Sequence, residues 1–368
     1  MAAGLTVAML PATVLPALSA QASSTAWRVS HVVSTGHPAV LSTVTTTSRS
    51  DAWAFGLVKA ARITGVVRHW TGKTWNRVTL PAAVAKRWSA GDPLAVSGSA
   101  PGGNVWAFSA ITPTYLHHDA SGWSAGSLPN PDQTVIQPSA TIVRSASEAW
   151  VFGGAEDGPG GTFVPYAAMW NGLSWTTVPV PGTGPIVAAS AVSLDDFWAV
   201  TGTQEFESSV TTSKPVLLHW DGISWSTVHL PARLPGSPSS ILAVSDHDVW
   251  IGGRRPNGPA RTEYAAQYTG TALHVHKLRV AARQGSFSMV RLVKDGHGGV
   301  WGLGVAPSLL ASRLWHLTGG SWHGPIEPRL GRRAALLWLA RVPNTASVWG
   351  SGHVGSANGL IAVDGRLP

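Results

Sequence analysis

A tryptophan set in a short apolar strand returns seven times along the 368 residues, and this repeat limits the possible folds more than any other feature. The seven segments are Asp51-Ala-Trp53-Ala-Phe-Gly56, Asn104-Val-Trp106-Ala-Phe108, Glu148-Ala-Trp150-Val-Phe-Gly153, Asp196-Phe-Trp198-Ala-Val200, Asp248-Val-Trp250-Ile-Gly252, Gly299-Val-Trp301-Gly-Leu-Gly304 and Ser347-Val-Trp349-Gly-Ser-Gly352. Successive tryptophans stand 53, 44, 48, 52, 51 and 48 residues apart. A period near 50 with about four strands per unit is the signature of a β-propeller. Each Trp strand is preceded by another β-prone run, as in 186–192, 240–244 and 287–293. Each is followed by a loop and a hairpin, at 68–75, 116–123, 169–175, 217–231, 267–270, 316–322 and 362–365.

The fullest hairpin is Leu217-Leu-His-Trp-Asp-Gly-Ile-Ser-Trp-Ser-Thr-Val-His-Leu-Pro231. Asp221-Gly222 readily takes the positive φ angles of a tight turn. A two-residue turn there predicts Trp220 opposite Ile223 and Leu218 opposite Trp225, sharing one face, with His219 and Ser224 on the other.

The chain ends at Asp364-Gly365-Arg366-Leu367-Pro368, where a seventh unit needs its outer strand. Near the other end, Ala26-Trp27-Arg28-Val29-Ser30-His31-Val32 reads as an isolated fourth strand, similar to Ser224-Trp225-Ser226-Thr227-Val228. The expected fold is therefore all-β: a seven-bladed β-propeller of four-stranded antiparallel blades, closed by the N-terminal strand pairing into the last blade. Closure removes the unpaired edges of an open ring. The expected domain is single, 23–368, with 24–33 as the outer strand of the last blade. The blades fall at about 39–81, 92–129, 138–181, 186–231, 239–280, 286–328 and 334–368.

Forty-one Gly and 26 Pro suit a turn-rich chain, and a 44% hydrophobic content is ample for a core. The absence of cysteine excludes disulfides, thiolate metal sites and Cys nucleophiles. Residues 1–22 are apolar, uncharged after Met1 and end in Ala20-Gln21-Ala22, a small-residue cleavage pattern. They read as a signal peptide without its basic n-region, so the true start could lie upstream and the mature protein is expected outside the cell. A membrane anchor is the alternative, although Pro11 and Pro16 interrupt a stretch barely long enough to span.

Asp51-Ala-Trp53-Ala-Phe-Gly56, followed in the same unit by His69-Trp70-Thr71-Gly72-Lys73-Thr74-Trp75, resembles the Trp-rich repeats of secreted bacterial β-propeller proteins. In architecture it is similar to kelch propellers, including the central domain of galactose oxidase. The turn Asp221-Gly222-Ile223-Ser224-Trp225 resembles a shortened Asp-box turn of sialidase propellers. The resemblance implies a propeller over the mature chain and nearly nothing about activity. Kelch-type copper oxidases need a Cys–Tyr crosslink that a Cys-free chain cannot make. Sialidases use an arginine triad with a Tyr/Glu pair, and no motif here fixes such a set.

His69, His117, His219 and His316 recur at one hairpin position, which the repeat geometry holds apart, so they read as structural groups satisfying nearby backbone. The acid two residues before several of the strand-two tryptophans reads as turn chemistry. His274-Val-His276 is a possible metal pair without a third ligand at supporting spacing, and no metal or cofactor is expected. Function is expected where the repeats differ, chiefly in the loops between strands two and three. Candidate binding residues are Glu156 and Asp157 in the third unit and Glu205 and Glu207 in the fourth. In the fifth they are Arg254, Arg255, Arg261, Glu263 and Tyr264.

Charge is segregated: residues 1–144 carry net +6, 145–250 net −8 and 251–368 net +10. Such a field steers anionic partners. The expected partners are an anionic polysaccharide, a cell-wall polymer or an acidic protein, with no nucleic acid, no membrane span in the mature chain and a monomeric state. The first functional reading is a binding or scaffold module recognising a glycan or protein through the strand 2–3 loop face. The alternative is a glycan hydrolase or lyase with its site at the mouth of the central channel. Convergent carboxylates with Arg or Tyr at that mouth would distinguish the enzyme.

Overall fold

The computed structural model describes residues 27–34, 36–88, 94–130, 135–158, 160–202, 214–255, 262–276, 278, 286–328, 330, 333–355 and 358–364. The leader at 1–22, Glu205, Glu207 and Arg261 lie outside them.

After β1 (Arg28–Val33) the strands come in units. Blade 1 is β2 (Ala39–Ser48), β3 (Asp51–Lys59), β4 (Ile63–Trp70) and β5 (Trp75–Val78). A short helix, α1 (Ala82–Arg87), not anticipated from the sequence, leads to blade 2. That blade is β6 (Leu94–Ala100), β7 (Asn104–Ser109), β8 (Thr114–Asp119) and β9 (Gly122–Ser127). Blade 3 is β10 (Ile136–Ser145), β11 (Glu148–Glu156), β12 (Phe163–Trp170) and β13 (Trp175–Thr177). Blade 4 is β14 (Ile186–Ala191), β15 (Phe197–Thr201), β16 (Leu217–Trp220) and β17 (Trp225–Val228). Blade 5 is β18 (Ser237–Ser245), β19 (Asp248–Arg254), β20 (Glu263–Tyr268) and β21 (Leu273–His276). Blade 6 is β22 (Ser288–Lys294), β23 (Val300–Val305), β24 (Ser312–Thr318) and β25 (Ser321–Ile326). Blade 7 is β26 (Ala334–Arg341), β27 (Val348–Val354) and β28 (Asn358–Asp364), completed by β1.

The result is seven four-stranded antiparallel sheets, the last ordered β1-β28-β27-β26. The N-terminal strand thus closes the ring. Between each pair of neighbouring sheets lies one apolar cluster, seven seams in all among the described residues. A single four-stranded sheet cannot bury both its faces, and the radial array covers each with a neighbour.

The tryptophans set the seams by a rotational rule. The outer-strand Trp of one blade meets the strand-two Trp of the preceding blade edge-on. The pairs are Trp123–Trp53, Trp175–Trp106, Trp322–Trp250 and Trp75–Trp349, with ring centroids 5.0–5.6 Å apart. Trp27 obeys the same rule, T-shaped on Trp301 at 5.9 Å. The edge-to-face arrangement is the preferred one for aromatic quadrupoles.

The hairpin register differs from expectation. Trp220 pairs with Trp225 and Leu218 with Thr227, so the turn holds four residues, not two. The Asp221 carboxylate accepts the N–H groups of Ile223 and Ser224 at 2.9 and 2.8 Å, and this side-chain turn widens the loop. Ile223 therefore leaves the apolar face and is 85% exposed.

Candidate functional site

The repeated histidines stack on the strand-two tryptophans. Cross-strand pairing puts His69 on Trp53, His117 on Trp106, His219 on Trp198 and His316 on Trp301, with ring centroids 3.8–4.4 Å apart. In three of the four, Nε2 goes to a carboxylate, which corrects the expectation of backbone partners. His69 Nε2 lies 2.7 Å from Asp51, His219 Nε2 2.9 Å from Asp196 and His316 Nε2 2.9 Å from Asp295. In blade 5 Gln267 takes the place of His and donates to Asp248 at 2.8 Å.

The acids two residues before Trp53 and Trp198 thus orient a ring and do more than form a turn. Burial pushes Asp51 and Asp295 up, but the hydrogen bonds from His69 and His316 are among those that carry both carboxyls below their ordinary value. Asp196 moves the other way, raised by burial and by its neighbour Asp246. In each unit these groups serve that unit's own Trp, and no three of the described His, Asp and Glu residues converge as metal ligands. His276 tilts against Trp250 at 4.9 Å, and a lowered pKa from burial and His274 favours its neutral form.

The candidate loop residues divide. Glu156 belongs to β11, where its carboxylate accepts the Gly160 N–H at 2.8 Å and braces its own loop. Asp157 next to it is exposed. Glu263 and Tyr264 are in the interior, 2% and 0% exposed, and so do not form a surface cluster with the arginines. The Glu263 carboxylate receives Arg313 of blade 6 through two guanidinium nitrogens, and Trp315 Nε1 donates to it at 3.0 Å. Arg313 also lies 3.9 Å over the Phe287 ring. Tyr264 points inward in β20, its phenol pushed up by burial, with a 3.4 Å hydrogen bond to the Gly236 carbonyl.

Arg254 is half-buried. It ends β19 between Ser237 and Glu263 and lines a 260 Å³ cleft at the seam of blades 5 and 6. The cleft joins the hydroxyls of Ser237, Ser239 and Ser288 to apolar Val305 and Leu309. Arg255 follows, its charge felt by Tyr264. Leu309 sits at φ 58°, a left-handed conformation uncommon for a leucine, and its carbonyl lies 2.8 Å from His353 Nε2 of blade 7. Leu309 and Leu310 are 55% and 65% exposed. Sequence reasoning missed Leu309 and the serines, because only the fold brings 237–239, 288 and 305–309 together.

These features define a seven-bladed β-propeller whose repeated polar residues brace the strand-two tryptophan of their own blade. No protein-family model and no curated protein sequence matches the chain. Among solved structures it is similar to YCF48 bound to D1 peptide, with 13% identity over 92% of this chain and 95% of that one and a TM-score of 0.59. YCF48 from Cyanidioschyzon merolae is similar at 13% identity, covering 92% and 98%, TM-score 0.57. The fucose-specific lectin from Aleuria aurantia matches at 12% identity over 80% and 96%, with a TM-score of 0.46, too low to bear on a site. The likeness at these identities is one of fold. No helix among the described residues is long and apolar enough to cross a membrane.

Proposed function

We propose that the protein is an exported binding module that grips an anionic partner on its strand 2–3 loop face, at the seam of blades 5 and 6. The partner is an acidic glycan, a wall polymer or an acidic protein. The observation that carries this reading is the Arg254 cleft, where a cation, three serine hydroxyls and apolar walls share one concave surface. Such a mixture suits a chain that offers both acidic groups and apolar faces. The backbone strain at Leu309, held in place by His353, lies at the rim, and strained positions gather at ligand-binding sites. The net charge of +10 over residues 251–368 favours the same sign of partner. YCF48, a protein of similar fold, has been seen with D1 peptide bound, which supports a binding role for such a scaffold in general.

The test is an array of acidic and neutral glycans and acidic peptides, probed with wild type and with the Arg254→Ala/Arg255→Ala/Arg261→Ala variant. Retention on acidic ligands is expected to fall tenfold or more in the variant. Equal retention of both proteins on every hit would remove this face from consideration.

A further inference from the structure

The inner strands of blades 6 and 7 end in Lys294 and Arg341, which brings two cations to the channel mouth on the face opposite the strand 2–3 loops. Both line a 370 Å³ cleft between blades 5 and 6, together with His276 and the Gly319-Gly320 turn. Lys294 forms no hydrogen bond or ion pair with a described residue. Burial and then the Arg341 charge press its ammonium below the ordinary range, with Asp248 pulling weakly the other way. Asp248 lines the same cleft, and its carboxylate accepts from Gln267 at 2.8 Å. Arg341 gives its Nε to the Thr345 carbonyl at 3.2 Å. His276 Nε2 is buried without a hydrogen-bond partner. Gly319 and Gly320, at φ 56° and 73°, form the two-residue turn between β24 and β25 that borders the cleft.

Two like charges that line one cleft repel, and an anion between them relieves the repulsion. We propose that this cleft is an oxyanion site, separate from the Arg254 surface, that takes a sulfate, phosphate or carboxylate group between Lys294 and Arg341. His276 lines the same cleft. The site does not depend on the binding role assigned to the opposite face.

Inorganic sulfate, inorganic phosphate and acetate, titrated calorimetrically at constant ionic strength, test it and separate the three sources of the group. Saturable binding of at least one is expected in wild type, weakened tenfold or more by Lys294→Gln and by Arg341→Gln. Lys73→Gln, which removes a charge from an exposed hairpin of blade 1, should bind like wild type. Thermal melts verify that each variant is folded, and Lys294→Gln is expected to melt no lower than wild type, because it relieves the repulsion. Heats that fail to saturate for all three anions, or a folded Lys294 or Arg341 variant that binds like wild type, would overturn the assignment.

Discussion

Glu263 and His117 are polar side chains placed in seams that are otherwise apolar. The Glu263–Arg313 pair joins the third strands of blades 5 and 6 and occurs once among the described residues, with Glu263 also accepting the Trp315 indole N–H. Removing one member of a buried ion pair leaves the other without its counter-charge, which costs about 3–5 kcal/mol. Glu263→Gln is expected to lose that much in urea unfolding, and a Glu263→Gln/Arg313→Met double variant to recover most of it. His117 is the exception among the stacked histidines, since Asn104 stands where blade 1 has Asp51. Both His117 Nε2 and Asn104 Oδ1 are buried without partners. Burial holds the His117 imidazole down at about 4. The unfolded chain takes up that proton near pH 6.5 while the folded chain does not, so stability should decline on acidification from about pH 6.5 to 4. Solvent screening limits the effect to on the order of 1–2 kcal/mol. His117→Gln, mimicking Gln267 of blade 5, is expected to flatten that decline in unfolding midpoints measured across the range.

Within each blade the inner strand carries a bulge at the same level, where pairing with strand two shifts register. The shifts fall between Leu41 and Thr43, Leu94 and Val96, Pro138 and Ala140, Ile186 and Ala188, Pro238 and Ser240, Met289 and Arg291, and Leu336 and Trp338. The extra residue turns toward the next blade. Ser139 donates to the Ile186 carbonyl at 2.6 Å, Ser239 to the Met289 carbonyl at 2.9 Å, and Ser42 to Leu94. Strand two must pass close to the crowded side of the bulge. A Cβ on Gly56, Gly153, Gly253 or Gly352 would lie 1.9–2.1 Å from an inner-strand carbonyl oxygen. Gly56→Ala is therefore expected to cost about 1–3 kcal/mol, measured by chemical denaturation, whereas Gly103→Ala, which meets nothing within 4 Å, should suffer only from its positive φ. The Trp-to-Gly spacing was visible in the sequence as a repeat, but its cause was not, because Ser42, Ser139 and Ser239 look like ordinary polar positions of a strand. The blades themselves were readable, since all seven units use a Trp for the same seam. Asp221 hid the four-residue turn, because Asp-Gly fits a shorter one equally well. Glu263 was misplaced for another reason: its partner lies fifty residues away on a neighbouring blade, beyond any local pattern.

Ring closure makes the ends of the chain partners, and this is the property of the whole molecule with the largest consequence. β1 pairs with β28 from Arg28↔Val363 to Val33↔Gly359, and Trp27, 4% exposed, fills the seam of blades 6 and 7. Without that strand, β28 is an open edge and Trp301 loses its edge-on partner. An open edge beside an uncovered apolar seam recruits another chain. Trp27→Ala alone is expected to cost about 3–5 kcal/mol. A chain shortened to begin at Gly36 is expected to unfold in more than one step and to form concentration-dependent oligomers in sedimentation velocity. A synthetic peptide of residues 24–34 should suppress those oligomers by supplying β1 in trans, because backbone pairing and the Trp27 contact do not require a covalent link. A shortened chain that stays monomeric, keeps a single unfolding transition and ignores the peptide would show that the other six seams hold the ring without its clasp.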